Sequence, residues 1–113
     1  MATVKRFEDL EIWKLAKIQS DEFYKLIITT ELRKDFSLRN QMNASSGSVM
    51  DNIAEGFERA GNKDFKQFLI IAKGSNGEFR SQLYRCLDQK YITKDQFDRL
   101  YYSNILISAK YYP

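Results

Sequence analysis

The sequence predicts an all-α fold, an antiparallel up-down four-helix bundle. Three observations carry this expectation. The only proline is Pro113, at the last position, so no segment before it is broken by one. Apolar residues recur at helical spacing along four stretches, with charged residues opposite them. The breaks between the stretches are short, which sets consecutive helices antiparallel. The 113 residues suit a single domain spanning positions 1–113.

The first helix is predicted over residues 8 to 28. Leu10, Ile12, Trp13, Ala16, Phe23, Leu26 and Ile27 form its apolar face, and Glu11, Lys14, Asp21, Glu22 and Lys25 fill the other side. Ile18 falls in the middle of the charged side. Residues 29 to 37, "TTELRKDFS", break the pattern, and Ser37 is a plausible N-cap because its hydroxyl can accept from a free amide of the next turn. The second helix is expected from about Leu38 to Arg59, with the inner stripe Leu38, Gln41, Met42, Ser45, Val49, Asn52, Ile53 and Gly56. Gly56 sits inside the helical pattern, where it lowers propensity by roughly 1 kcal/mol and permits close helix contact.

"AGN", Ala60 to Asn62, reads as a corner. Gly61 is expected to take the left-handed conformation that ends a helix, Asn62 to cap the next, and Asp64 to suit the positive end of its dipole. The third helix, about Lys63 to Leu87, carries the stripe Phe65, Phe68, Leu69, Ala72, Asn76, Phe79, Leu83, Cys86 and Leu87. After "LDQKYIT", Thr93 and Gln96 spell a capping box, and Ile92 with Phe97 a hydrophobic staple. The fourth helix points Phe97, Leu100, Tyr101, Asn104, Ile105, Ser108 and Tyr112 inward.

Composition narrows the function classes. Hydrophobic residues at 43% and charged residues at 29% describe a folded, soluble chain rather than a disordered one. No apolar run approaches the roughly 18 residues of a membrane span. The opening "MATVKRFEDLEIW" has no apolar signal core, and the lone Cys86 cannot form an internal disulfide; both fit a reducing cytoplasm. A net charge of +3 and a pI near 9.0 are mildly basic, short of a dedicated nucleic-acid binder.

The chemistry-bearing motifs are weak. "GFERAGNKD" lacks the strand, the spacing and the Lys-Ser or Lys-Thr pair of a phosphate loop. With no histidine, His-based triads and the common zinc sites are absent. Glu55 and Glu78 would be the carboxylate pair of an enzyme, but the Glu-x-x-His partners of a diiron site are missing, and surface ion pairing explains them. Cys86 lies on the apolar stripe as a core residue. The expectation is therefore no enzyme, no cofactor and no metal.

Two surface patterns remain. Lys66, Lys73 and Arg80 recur every seventh residue along one edge of the third helix, with Arg59 and Lys63 near its start. This is either a solvated edge or a row of phosphate contacts, which assembly of several copies would multiply. Gly74 and Gly77 fall on the outward side beside Ile70, while Ile18, Tyr102 and Leu106 also map outside the inner stripes. These six residues are the expected self-association surface.

The run "SVMDNIAEGFERAGNKDFKQFLIIAKGSNGEFRSQL" resembles a bacterial four-helix-bundle family. That family includes the 23S rRNA intervening-sequence proteins and the accessory variability determinant proteins of diversity-generating retroelements. The resemblance rests on "FEDLEIWKLA" at Phe7 to Ala16, "NIAEGFER" at Asn52 to Arg59, "FKQFLIIAKGSNGE" at Phe65 to Glu78, and Tyr91-Ile92. It implies an up-down bundle that assembles as a homopentamer with a basic surface. It implies RNA or DNA as a partner, and a reverse transcriptase in the retroelement branch. It implies no catalytic activity. Arg59, Lys73 and Arg80 correspond to nucleic-acid contacts, and Asn52, Glu55, Gly56, Gly74 and Glu78 to fold or assembly positions. This sequence departs from the common pattern with Val49-Met50 in place of Ile-Pro, Met42-Asn43 in place of a basic pair, and Lys90 in place of a glycine. The rival reading is a protein-interaction adaptor whose charges only keep it soluble.

Overall fold

A computed structural model describes residues 4–59 and 61–110. Four α-helices follow one another: α1 Glu11–Thr29, α2 Phe36–Glu58, α3 Asn62–Asp88 and α4 Lys94–Ala109. Each packs on the next in sequence and α4 returns to α1, closing the up-down ring. The long axis of 46 Å matches a bundle set by the 27-residue α3, since each helical residue rises about 1.5 Å.

The helix ends show where local chemistry overrides pattern. A short 3-10 turn at Phe7–Asp9 precedes α1, and Leu10 is extended, so α1 begins three residues later than the periodicity suggests. The 29–37 break holds a second 3-10 turn, Glu31–Lys34, which buries Leu32 completely. Asp35, not Ser37, caps α2: its carboxylate accepts from the Leu38 amide at 3.1 Å and from the Tyr91 hydroxyl at 2.8 Å. Ser37 is already inside the first turn, where its hydroxyl accepts from Gln41.

At the α2–α3 corner, Arg59 turns extended, and Gly61 has φ +123° and ψ 145° rather than a left-handed helical cap. That positive φ still favours glycine. Asn62 is the first helical residue of α3, not its side-chain cap. Ala60 and Tyr112 lie outside the described residues. The end of α3 is a Schellman motif, in which the Tyr91 amide donates to Cys86 O and the Lys90 amide to Leu87 O, both at 3.0 Å. Its left-handed position is taken by Lys90, with φ +63°. The capping box of α4 forms as expected, with Gln96 N donating to Thr93 Oγ1 at 3.1 Å and Thr93 N to Gln96 Oε1 at 2.9 Å. Ile92 and Phe97 are buried in one cluster behind it.

The core is layered. One apolar cluster joins Phe23, Ile27, Leu38, Met42, Phe79, Leu83, Cys86, Phe97 and Leu100. The other joins Ile12, Ala16, Val49, Ile53, Ala72 and Ile107. Between them, each helix contributes buried polar residues in register: Gln19, then Ser45 and Ser46, then Asn76, then Asn104. Within α4 the buried stripe is Phe97, Leu100, Asn104 and Ile107. Ile105, expected inward, is exposed instead, because Ile107 sits three residues beyond Asn104 and takes the inner place. Gln41 is also exposed, and Asn52 is only half-buried, bonding back to Ser48 of its own helix.

Candidate nucleic-acid interface

The exposed arc of α3 carries both surface patterns. At about 100° per residue, Lys63, Lys66, Lys73, Arg80 and Tyr84 fall within about 60° of one line, and so do Asn62, Leu69, Ile70, Gly77 and Ser81. No carboxylate falls on this face between Asn62 and Tyr84; Asp64 and Glu78 lie well to its side. Lys63, Lys66 and Lys73 are exposed.

Arg80 is different. It is half-buried at the seam with α4, where its Nη1 donates to Asn104 Oδ1 at 3.2 Å and to Ser108 Oγ at 3.4 Å. Both acceptors are neutral, and among the described residues no carboxylate lies within ion-pair distance of it. Arg59 stands apart from the row. It lies past the end of α2, paired with Glu55 at 3.5 Å and 5.2 Å from the centre of the Phe68 ring.

The seam below Arg80 is aromatic. Tyr84 meets Phe97 edge-on at 4.9 Å and Tyr101 at 6.2 Å, and Phe97 stacks on Tyr101 at 5.6 Å. Tyr84 nevertheless remains 48% exposed. The sequence reading missed it, although continuing the lysine row one turn past Arg80 reaches it directly.

The six expected self-association residues do not form one patch. Ile70, Gly74 and Gly77 share α3, flanking the cation row on the side away from α4, with Ile71 beside them. A Cβ built on either glycine would meet nothing, so this strip is smooth and open. Tyr102 and Leu106 lie outward on α4, and Ile18 outward on α1. Since α1 and α3 are not ring neighbours, Ile18 cannot join the α3 strip within one chain. Ile70 at 69% and Tyr102 at 68% are the most exposed of the four large apolar residues among the six.

Nucleophile and carboxylate chemistry find no such focus. Burial pushes the Cys86 thiol up to about 12, and its Sγ lies 3.3 Å from Met42 Sδ. Glu55 is engaged by Arg59 on its own side of the corner, and Glu78 is exposed on α3. Among the described residues no three His, Cys, Asp or Glu side chains cluster as metal ligands, and no helix is long and apolar enough to cross a membrane.

The model of one protein family, described as 23S rRNA-intervening sequence protein, matches residues 8–112. The chain belongs to that family. Among solved structures, this family member is similar to a crystal structure from Bacteroides thetaiotaomicron VPI-5482, described as a protein of unknown function from the S23 ribosomal protein family. The TM-score is 0.80 at 22% identity, covering 88% of this chain and 94% of the other, which establishes a shared fold. No curated protein sequence matches it. Lys90, where the resemblance read from the sequence implies a glycine, has a left-handed backbone, which glycine adopts without strain.

Proposed function

We propose that this protein is a non-catalytic, cytoplasmic, oligomeric scaffold that binds nucleic acid weakly through the basic face of α3. The observation that carries the reading is that, among the described residues of α3, no carboxylate falls on that face from Lys63 through Lys66 and Lys73 to Arg80. A solvated helix edge ordinarily mixes charges of both signs. A surface of one sign instead attracts a polyanion and releases its counterions. The family's description, 23S rRNA-intervening sequence protein, agrees with an RNA partner.

The two-patch geometry supports assembly. Self-complementary dimers bury one patch against itself, whereas rings join two different patches head to tail. The smooth α3 strip and the outward residues of α4 are two different patches. A ring, with five copies as the expected number, would place several cationic edges side by side and add their affinities.

The test is binding of fluorescein-labelled RNA by anisotropy at several salt concentrations, with Lys63, Lys66 and Lys73 together changed to Glu. These three are exposed, and circular dichroism of the variant checks that the bundle is kept. The expected result is affinity falling steeply with salt in the parent and binding lost in the variant. Unchanged binding in the variant removes the α3 face from consideration. Light scattering is expected to give a mass well above the 13.3 kDa of one chain, and a monomer at micromolar concentration contradicts the scaffold.

A further inference from the structure

Resting on that reading, we infer that the α3–α4 seam recognises single-stranded nucleic acid, with Arg80 holding a phosphodiester and the Tyr84 ring stacking on a base. Three observations converge on this pair.

The first is how Arg80 is held. Its guanidinium is fixed at one nitrogen by Asn104 and Ser108, and Asn104 is in turn fixed by donating to Gln19 Oε1 at 2.9 Å and to Asn76 Oδ1 at 2.9 Å. The Nε and Nη2 donors bond to no described residue. A half-buried cation with neutral acceptors only is incompletely compensated. A planar fork with one arm anchored and the rest unused matches a phosphate, which accepts two parallel N–H bonds.

The second is the platform one turn away. Tyr84 is backed by Phe97 and Tyr101, both in edge contact with it, yet nearly half of it remains accessible. An aromatic side chain held from behind and open in front can stack without first losing rotamer freedom. Residues at i and i+4 are helix neighbours, about 5–6 Å apart between Cβ atoms, so phosphate fork and ring stand side by side.

The third is the charge around them. Lys66 and Lys73 continue the same face with no intervening carboxylate, so a strand crossing Tyr84 and Arg80 runs onto further cations. In a duplex the base faces are already stacked, and only a single strand offers one to Tyr84. A positive track with an aromatic platform is the combination that selects single strands.

The experiment uses the full chain and one labelled 16-nucleotide RNA, free or annealed to its complement, with anisotropy read at low and moderate salt. Tyr84→Leu removes the ring while keeping apolar packing on Phe97, and Tyr84→Phe restores it. Arg80→Lys keeps the charge and loses the fork. The expected result is preference for the free strand, a loss of about tenfold with Tyr84→Leu, and recovery with Tyr84→Phe. Duplex binding should be unchanged in both Tyr84 variants. Arg80→Lys should weaken the free strand with little change in salt slope. Equal affinity for free strand and duplex, or an indifferent Tyr84→Leu, overturns the inference and leaves the broader reading standing. A Tyr84→Leu variant that changes the light-scattering mass overturns it too, because the seam is then covered by another copy. No binding of either form at low salt ends both.

Discussion

Gly56→Ala tests the helix contact on which the α2–α3 half of the bundle depends. Of the five glycines, only Gly56 would place an added Cβ against a neighbour: 2.5 Å from Phe68 Cβ and 3.2 Å from Phe65 Cδ1. Ordinary contact begins near 3.4 Å. Phe68 Cβ is fixed to the α3 backbone, so no rotamer change relieves the clash, and the helices must part by about 1 Å. Overpacking of this kind costs about 1–3 kcal/mol, and a backbone-anchored clash belongs in the upper half of that range. Alanine returns about 1 kcal/mol of helix propensity. The net expectation is a loss of about 1–2 kcal/mol. Gly47→Ala is the control, since its Cβ meets nothing and only the propensity gain of about 1 kcal/mol remains. Urea unfolding followed by circular dichroism, at one fixed protein concentration, should separate the two midpoints by about 1 M. A Gly56→Ala midpoint at or above the parent's would refute the close-approach argument.

Lys90→Gly should stabilise by about 0.5–1 kcal/mol, because relief of about 1–2 kcal/mol of left-handed strain exceeds the added freedom of the unfolded chain; a thermal melt at fixed concentration reads it. The Asp35 carboxyl is held below its ordinary 3.8, first by the Leu38 amide and then by the Tyr91 hydroxyl. Its contribution is therefore complete above pH 3.8 and is lost as pH falls through the lowered value. Asp35→Asn should flatten the acid limb of a stability–pH curve, and an unchanged limb would contradict the assignment. Burial raises the Cys86 thiol from 9.0 to about 12, so between those values the unfolded chain loses the proton while the native one keeps it, and stability falls as pH rises. In the folded protein at pH 8 the thiol should resist a disulfide-exchange reagent and react fully once guanidinium is added.

The four helices were legible because each repeats its apolar stripe over several turns, so one misplaced residue does not alter the pattern. Ile105 and Ile107 show where that legibility stops. They are two residues apart, and only packing against α1 and α3 decides which is inside. Caps were readable where two side chains specify each other, as in Thr93 and Gln96. They were misread where a distant residue contributes, as Tyr91 does at Asp35. Gln19 escaped notice, as did Gln82, which is buried and accepts from Ser45 Oγ at 2.7 Å, because a glutamine in a stripe looks like surface until its partner is known. The lysine row was visible as a heptad, but that Arg80 is anchored while Lys66 is exposed depends on α4, which periodicity along α3 cannot place.

The polar layer explains why Arg80 is anchored. Gln19, Asn76 and Asn104 come from three helices, and none can be satisfied unless all three are in register. Gln19 Nε2 donates to Asn76 Oδ1 at 3.1 Å, while Asn76 and Asn104 each donate to the other's backbone carbonyl at 3.0 Å. A slip of one residue would leave several buried groups unpaired, at about 1–3 kcal/mol each. An apolar layer would tolerate the slip far better. The layer is therefore a register device, and Arg80 is attached to it through Asn104 and Ser108. Asn104→Leu separates the two roles. It should lower stability by about 3 kcal/mol or more, since Gln19, Asn76 and Arg80 all lose a partner, and it should weaken RNA binding in whatever fraction remains folded. Asn104→Asp keeps the size and gives Arg80 a carboxylate. If the anchored fork is what meets phosphate, that substitution should depress RNA affinity by neutralising it. Affinity equal to the parent's, in a folded Asn104→Asp protein, would show that Arg80 belongs to the architecture alone.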